Sequence, residues 1–214
     1  MKAIRVKAGD AALLDPAADL WADVASETFT LMATPLAMVQ ELSPFLAISE
    51  GHGVTPSLQA QAVHNGGVVA VRLRWASAKV DRVLDLDSFV DGVAVMFPTV
   101  ANVSAVTMGA RGKPVNAWYW RADKTAPHEV LAEGFRFVQR QKDNAGSDLQ
   151  VAAVHADGHW QVVFRRSLGA RNGLVRFAPG RKSGIAFAVW SGANAERSGR
   201  KSFSGDFVTL DIAS

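Results

Sequence analysis

Ser57–Trp75, SLQAQAVHNGGVVAVRLRW, is the stretch that decides the fold class. Two strand-like runs flank Asn65-Gly66-Gly67, and Asn-Gly accepts the positive φ that tight hairpin turns demand. Ser57–Val63 and Val68–Trp75 are therefore predicted to pair as neighbouring strands. In the second run, Val69, Val71, Leu73 and Trp75 alternate with Val68, Ala70, Arg72 and Arg74, which predicts one buried face and one mostly solvated. Asp148–His155 and Trp160–Arg166 form a second hairpin around Asp157-Gly158. Asp91–Phe97, Asn116–Arg121, Gly184–Trp190 and Asp206–Ile212 read as further strands. Many short strands separated by turn signals predict a mainly β chain, an antiparallel β-sandwich with a few short helices. No linker interrupts the 214 residues, so one domain over 1–214 is expected.

Helix is scarce. Pro127–Gln141 (PHEVLAEGFRFVQRQ) is the best candidate, although Gly134 weakens it by about 1 kcal/mol relative to alanine. Asp81–Ser88 has room for one short helical turn. Met38–Thr55 and Thr99–Pro114 read as long irregular segments, a length that is often functional. No apolar run reaches the roughly 20 residues of a membrane span. The N-terminal MKAIRVKAGDAALLDP lacks the apolar core of a signal peptide, and so reads as a cytoplasmic start or a mature end carrying an added methionine. The net charge of +3 comes without a Lys/Arg block, which argues against nucleic acid. It favours an acidic protein partner through electrostatic steering.

The chain has no cysteine. Disulfides, thiolate-held iron–sulfur clusters, Cys-rich zinc sites and a covalently attached c-type haem are all excluded, so any haem must be held non-covalently. His155 and His159 flank the Asp157-Gly158 turn, and His64, before the Asn-Gly turn, reads as exposed. His52 lies between two glycines, on a loop able to swing over a cofactor, and His128 sits near the predicted helix start. No G-x-S-x-G elbow, P-loop or G-x-G-x-x-G appears, and Asp85 and Asp87 read as a solvated loop edge, so unaided catalysis finds little support. Met108 precedes Gly109, which permits close backbone approach to a flat ligand; the ordinary reading is a core gap-filler. Lys201 lies in a Gly/Ser-rich approach to the last strand, beside Arg197 and Arg200. To bind iron it must lose a proton, at a cost near 4–5 kcal/mol at pH 7 for an unperturbed lysine.

The order and spacing of several stretches carry a resemblance. They are Phe89–Pro98 (FVDGVAVMFP), Met108-Gly109, Gly112–Asp123 (GKPVNAWYWRAD), Ile185–Asn194 (IAFAVWSGAN), Glu196-Arg197, Lys201-Ser202 and Ser204, with Asp15-Pro16, Trp21 and Val68–Trp75. Together they resemble the haem-binding γ subunit of the ethylbenzene dehydrogenase and dimethylsulfide dehydrogenase type; chlorate and selenate reductases carry similar subunits. The resemblance implies a β-sandwich holding one b-type haem (heme b) in a periplasmic complex, beside a molybdopterin α subunit and an iron–sulfur β subunit. It implies a methionine and a lysine as axial ligands, which map onto Met108 and Lys201; Lys182 and Lys113 are other lysines near matching segments. The stretch after WRAD, KTAPHEV, departs from the Tyr/Asn-rich pattern of that type, and no pocket residue is carried over from it.

On this reading the chain relays electrons between a soluble c-type cytochrome and the iron–sulfur subunit, and substrate turnover lies elsewhere. Trp118, Trp120, Phe187 and Trp190 are expected to wall the pocket, and Arg197 or Arg200 to pair with haem propionates. Thioether ligation implies a comparatively high potential. The alternative from another class is a carbohydrate- or small-ligand-binding β-sandwich whose exposed tryptophans stack on sugar. A third is an accessory subunit without a cofactor.

Overall fold

A computed structural model describes residues 1–35, 50–140, 148–170 and 173–214. The described strands are β1 (Lys2–Arg5), β2 (Glu27–Thr30), β3 (Met32–Ala33), β4 (Ser57–His64) and β5 (Val68–Ala76). Then come β6 (Gly92–Pro98), β7 (Val115–Arg121), β8 (His128–Ala132), β9 (Val138–Arg140) and β10 (Gln150–Ala156). The last four are β11 (His159–Ser167), β12 (Lys182–Trp190), β13 (Ser202–Phe203) and β14 (Val208–Ile212). They form two facing layers. The first runs β10-β11-β5-β4-β1-β14-β12, and the second runs β12-β6-β7-β8-β9. Strand β12 serves both: Lys182–Ile185 pair with β14, and Ala186–Trp190 pair with β6. All pairs are antiparallel except those of β1, which runs parallel to β4 and β14.

Both predicted hairpins form. At β10–β11, Asp157 and Gly158 both adopt positive φ (50° and 68°), the pattern that matches strand twist. At β4–β5 only Gly66 does so (φ 93°), and the Asn65 side chain closes the turn, its Oδ1 accepting from the N–H groups of Gly67 and Val68. The helix expected at Pro127–Gln141 is absent: its described part folds as β8 and β9 around Gly134, a turn residue at φ 95°. The free edge of β7 claims His128–Ala132, and that pairing overrides local helix propensity. Gln141, like most of Met38–Thr55, lies outside the described residues. Asp81–Ser88 is an open loop with Leu86 almost fully exposed, so a helical turn there would have no face to bury. Among the described residues, helix is instead α1 (Asp10–Leu14), with short 3-10 turns at Asp19–Asp23 and Gly192–Asn194.

The main core lies between the layers. Val69, Val71, Leu73 and Trp75 of β5 meet Val93, Val95 and Phe97 of β6 and their neighbours there, as the alternation in the sequence required. The opposite face of β5 is divided. Val68 and Ala70 are covered by Leu13, Trp21 and Val24, whereas Arg72 and Arg74 remain half-buried.

Among the described residues, one ion pair crosses the interior. Arg166 of β11 reaches Glu129 of β8 at 2.7 Å, and both side chains are essentially buried. Arg166 also donates to Asn116 Oδ1 (3.1 Å) and the Val175 carbonyl, while Trp118 Nε1 donates to Glu129 (3.2 Å). Such a network ties the layers in register, because removing one partner strands a desolvated charge. Arg166→Met should cost about 3–5 kcal/mol in denaturant unfolding, and the paired Arg166→Met/Glu129→Leu variant should recover much of that loss.

His64 corrects an expectation, for it is fully buried. Neither ring nitrogen has a well-formed partner, although the Ala213 backbone lies close enough to offset burial in part. Burial therefore holds His64 below its ordinary value near 6.5. Below that pH the unfolded chain takes up a proton that the native state resists. Stability should then fall as pH drops from 6.5 through the folded-state value, and His64→Gln should flatten this part of a Tm-versus-pH curve.

Candidate functional site

Strand parity sorts the predicted pocket residues. Trp118, Trp120 and Phe187 sit on the inner face of the second layer, in the core. Trp118 packs on Phe97 (4.7 Å between ring centroids), Trp120 on Trp160 (5.1 Å) and Phe187 on Phe29 (4.7 Å). These three side chains therefore pack between the layers, since successive strand side chains point to opposite faces and theirs meet the other sheet. Trp190 has the opposite parity. It shares the outer face with Tyr119, against whose ring it packs edge-on at 5.1 Å.

That outer face is a floor of small side chains. Ala117, Met96 and Ala186 are cross-strand neighbours in one row, and Tyr119, Ala94 and Ala188 in the next. Val130 extends the first row onto β8. Ala94, Ala117, Ala186 and Val130 are buried although they point away from the core. Alanines on β6, β7 and β12, with Val130 on β8, keep this apolar face low beside the bulkier Met96 and Tyr119.

Met108 stands at one end of the floor. It adopts φ 55°, a left-handed conformation that costs a non-glycine residue roughly 1–2 kcal/mol. The loop between β6 and β7 holds it there. Met108 N–H donates to the Ala105 carbonyl (3.0 Å), and its own carbonyl accepts from Gly134 N–H (2.9 Å). Gly109 follows at φ 85°, wedged so closely that a Cβ would lie 2.7 Å from the carbonyl oxygens of Ala132 and Lys113. Ala105 N–H donates to Asp206 Oδ1 (3.4 Å), linking this loop to the segment after β13.

Lys201 stands at the other end, immediately before β13. Its Nζ lies 5.2 Å from the centre of the Trp190 ring, and among the described residues no carboxylate forms an ion pair with it. Burial lowers its pKa to about 8. The Lys201 carbonyl is pinned by Thr34, whose N–H and hydroxyl both donate to it (3.1 and 3.3 Å). Lys182 and Lys113, the other candidates, are both exposed, and Lys113 donates to the Asn102 carbonyl (3.3 Å).

Near Lys201, Arg197 lies exposed with its guanidinium over the Phe89 ring at 4.2 Å. Arg200 keeps its Nε buried and without a hydrogen-bond partner. Buried Glu196 accepts from the backbone N–H groups of Gly53 (2.6 Å), Val54 (3.2 Å) and Ser191 (2.9 Å). It thereby fixes the turn after Trp190. His52 hydrogen-bonds through Nε2 to the Thr34 carbonyl (2.7 Å). His155 and His159 are engaged by the backbone carbonyls of Ser77 and Asp157 (2.7 Å each).

A sequence-family model described as ethylbenzene dehydrogenase matches residues 18–153 and 136–202, a span containing both Met108 and Lys201. The chain belongs to the ethylbenzene dehydrogenase family. Chlorate reductase subunit gamma of Ideonella dechloratans is 33% identical over 204 residues, covering 94% of this chain and 80% of the relative. A Haloferax mediterranei protein assigned as a respiratory nitrate reductase heme subunit is 36% identical over 153 residues, which cover 69% of this chain and 53% of that protein. The dimethylsulfide dehydrogenase subunit gamma of Rhodovulum sulfidophilum is 32% identical over 136 residues, 61% of this chain and 51% of its own length. The match thus spans about half of the last two relatives. In fold alone, the family member also resembles a family 9 carbohydrate-binding module of Caldicellulosiruptor kristjanssonii, solved with glucose (TM-score 0.53, 9% identity, covering 100% of this chain and 95% of the module).

The alanine floor was missed in the sequence, although a period-2 signal carries it. In β6, β7 and β12 the bulky residues in phase with the core leave Ala94, Ala117, Ala186 and Ala188 out of phase. Gly109→Ala tests how the loop of this family member is seated. The added methyl should force the loop off the end of β8, with a loss of about 1–3 kcal/mol in thermal unfolding, whereas Gly112→Ala, whose Cβ would meet open space, should cost less.

Proposed function

We propose that this chain is the electron-relaying haem subunit of a molybdenum oxidoreductase complex. In this reading one b-type haem lies on the outer face of the second layer, held by Met108 and Lys201. The observation that carries the reading is the Lys201 amine, desolvated and, among the described residues, without a carboxylate partner, beside the apolar outer face. An iron ligand must be the free base. With a pKa of about 8, that state costs roughly 1–2 kcal/mol at pH 7, against the 4–5 kcal/mol of an unperturbed lysine. A structural lysine would gain from an acidic partner, whereas a ligand gains from lacking one. Met108 supports the same reading, because a strained non-glycine conformation held by several backbone contacts is typical of a functional position.

The haem would supply the one-electron chemistry. The chain's own residues do the rest: the alanine floor admits a planar macrocycle, Met108 and Lys201 offer sulfur and nitrogen, and Trp190 holds the lysine in place. Arg200, with its buried orphan Nε, is suited to a propionate, as is Arg197. The partners in this proposal are a molybdopterin α subunit, an iron–sulfur β subunit and a soluble c-type cytochrome, in the periplasm. Among the described residues, no helix is long and apolar enough to cross a membrane. The sugar-binding alternative needs exposed tryptophans, yet five of the six (Trp21, Trp75, Trp118, Trp120 and Trp160) are buried.

The purified chain reconstituted with haem should show a Soret band and a low-spin oxidised spectrum. Met108→Ala should shift the spectrum to a high-spin or water-ligated form with the fold retained. Lys201→Ala should weaken haem binding and open a position for cyanide or carbon monoxide, while exposed Lys182→Ala should do neither. Failure to bind haem, or loss of ligation in Lys182→Ala only, contradicts the assignment.

A further inference from the structure

Beyond the ligands, the outer face of the second layer carries a row of aromatic rings that leads away from Lys201. Trp190 lies 5.2 Å from Lys201 Nζ, Tyr119 packs edge-on against Trp190 at 5.1 Å, and His128 stacks on Tyr119 at 6.2 Å with planes 28° apart. The three rings stand on three different strands, β12, β7 and β8. Such a row does not follow from register alone, for Tyr119 and Trp190 are not directly opposite. Residue 92 of β6 lies between β12 and β7, beneath the Tyr119 phenol. It is glycine, and a Cβ there would lie 3.5 Å from Tyr119 Cε2, 3.6 Å from its hydroxyl and 3.1 Å from the Trp120 carbonyl. A methyl there would just touch the phenol, and any longer side chain would compete with Tyr119 for the space above β6.

The far end of the row is charged. Burial lowers the pKa of half-buried His128, and the nearby Arg140, Arg121 and Lys124 lower it further, with Asp123 opposing them. Tyr119 has Arg121, Arg140 and Asp123 as charged neighbours. Arg121 and Lys124 both pair with Asp123, at 2.9 and 3.4 Å, so one carboxylate faces three cations. Lys124 and Arg140 are exposed, and the rim is net positive.

We propose that Trp190, Tyr119 and His128 form the electronic route between the haem and the protein surface, and that the basic rim around His128 is the docking site of an acidic electron-carrier protein. The inference rests on the haem reading above and adds its exit and the chemistry of its partner. Rings near van der Waals spacing couple electronically far better than solvent or a gap of the same width, so an electron crosses this row in one tunnelling event without a side-chain radical. The charge of the rim fits an anionic surface, because opposite potentials raise encounter rates and the effect fades with salt.

Stopped-flow oxidation of the ferrous haem protein tests both halves. One electron passes from the iron to ferricyanide, giving ferric protein and ferrocyanide; cationic tris(phenanthroline)cobalt(III) is the comparison oxidant. The wild type should react faster with ferricyanide at low salt and lose that advantage as ionic strength rises. Lys124→Gln/Arg140→Gln should cut the ferricyanide rate several-fold, flatten its salt dependence and, by relieving repulsion, make the cobalt reaction no slower. Tyr119→Leu should slow both oxidants about tenfold with unchanged Soret band and reduction potential, whereas Tyr119→Phe, which keeps the ring, should stay within about twofold of wild type. Equal rates in Tyr119→Leu and wild type at normal haem loading overturn the route, and an unaltered salt dependence in the double variant overturns the docking site. A protein that takes up no haem overturns the underlying reading and this inference with it.

Discussion

Strand β12 is the constraint on which the rest depends, because its first half is bonded into one layer and its second half into the other. A strand shared in this way fixes the layers edge to edge, and its alternation is then read by both. Ile185, Phe187 and Val189 are committed to the core, so Ala186, Ala188 and Trp190 must face outward. β6 and β7 follow the same phase through their pairing with it, which lays alanines side by side and carries Tyr119 to the same surface. The turn after Trp190, fixed by Glu196, then delivers Lys201 to the edge of that surface.

Two cations in apolar surroundings show how the fold separates structure from chemistry. Arg166 is surrounded by acceptors: Glu129, Asn116 and the Val175 carbonyl answer its guanidinium, and the rings of Trp118 and Phe177 flank it. It is a finished interaction whose worth lies in holding the layers together. Lys201 is desolvated as well, but among the described residues no carboxylate pairs with it, and the Trp190 ring lies 5.2 Å from its Nζ. A charge held in apolar surroundings without a counter-charge is expensive, which is why burial favours the neutral amine at Lys201.

Much of the fold was legible because its signals are local. Asn65-Gly66 and Asp157-Gly158 announce hairpins by backbone chemistry, and β5 announces its buried face by alternation. Pro127–Gln141 misled because nothing local records that β7 has an open edge to fill, and only tertiary pairing turns His128–Ala132 into a strand. His64 was read from the turn beside it, yet its strand phase places it with Ala60 and Ala62, facing inward. The sequence names Met108 and Lys201 as candidate ligands but does not show which aromatic residues share their face. Trp118, Tyr119 and Trp120 look like a single aromatic patch in the sequence, but a strand sends neighbours to opposite faces, and the aromatic that reaches the outer surface is the middle one.

Iron K-edge X-ray absorption fine structure on the haem-reconstituted protein addresses the central claim most directly, because it reads the atoms bound to the metal. Coordination by Met108 and Lys201 predicts one sulfur and five nitrogen neighbours in the wild type, and loss of the sulfur shell in Met108→Ala. A wild-type spectrum with six nitrogen or oxygen neighbours and no sulfur would contradict the account.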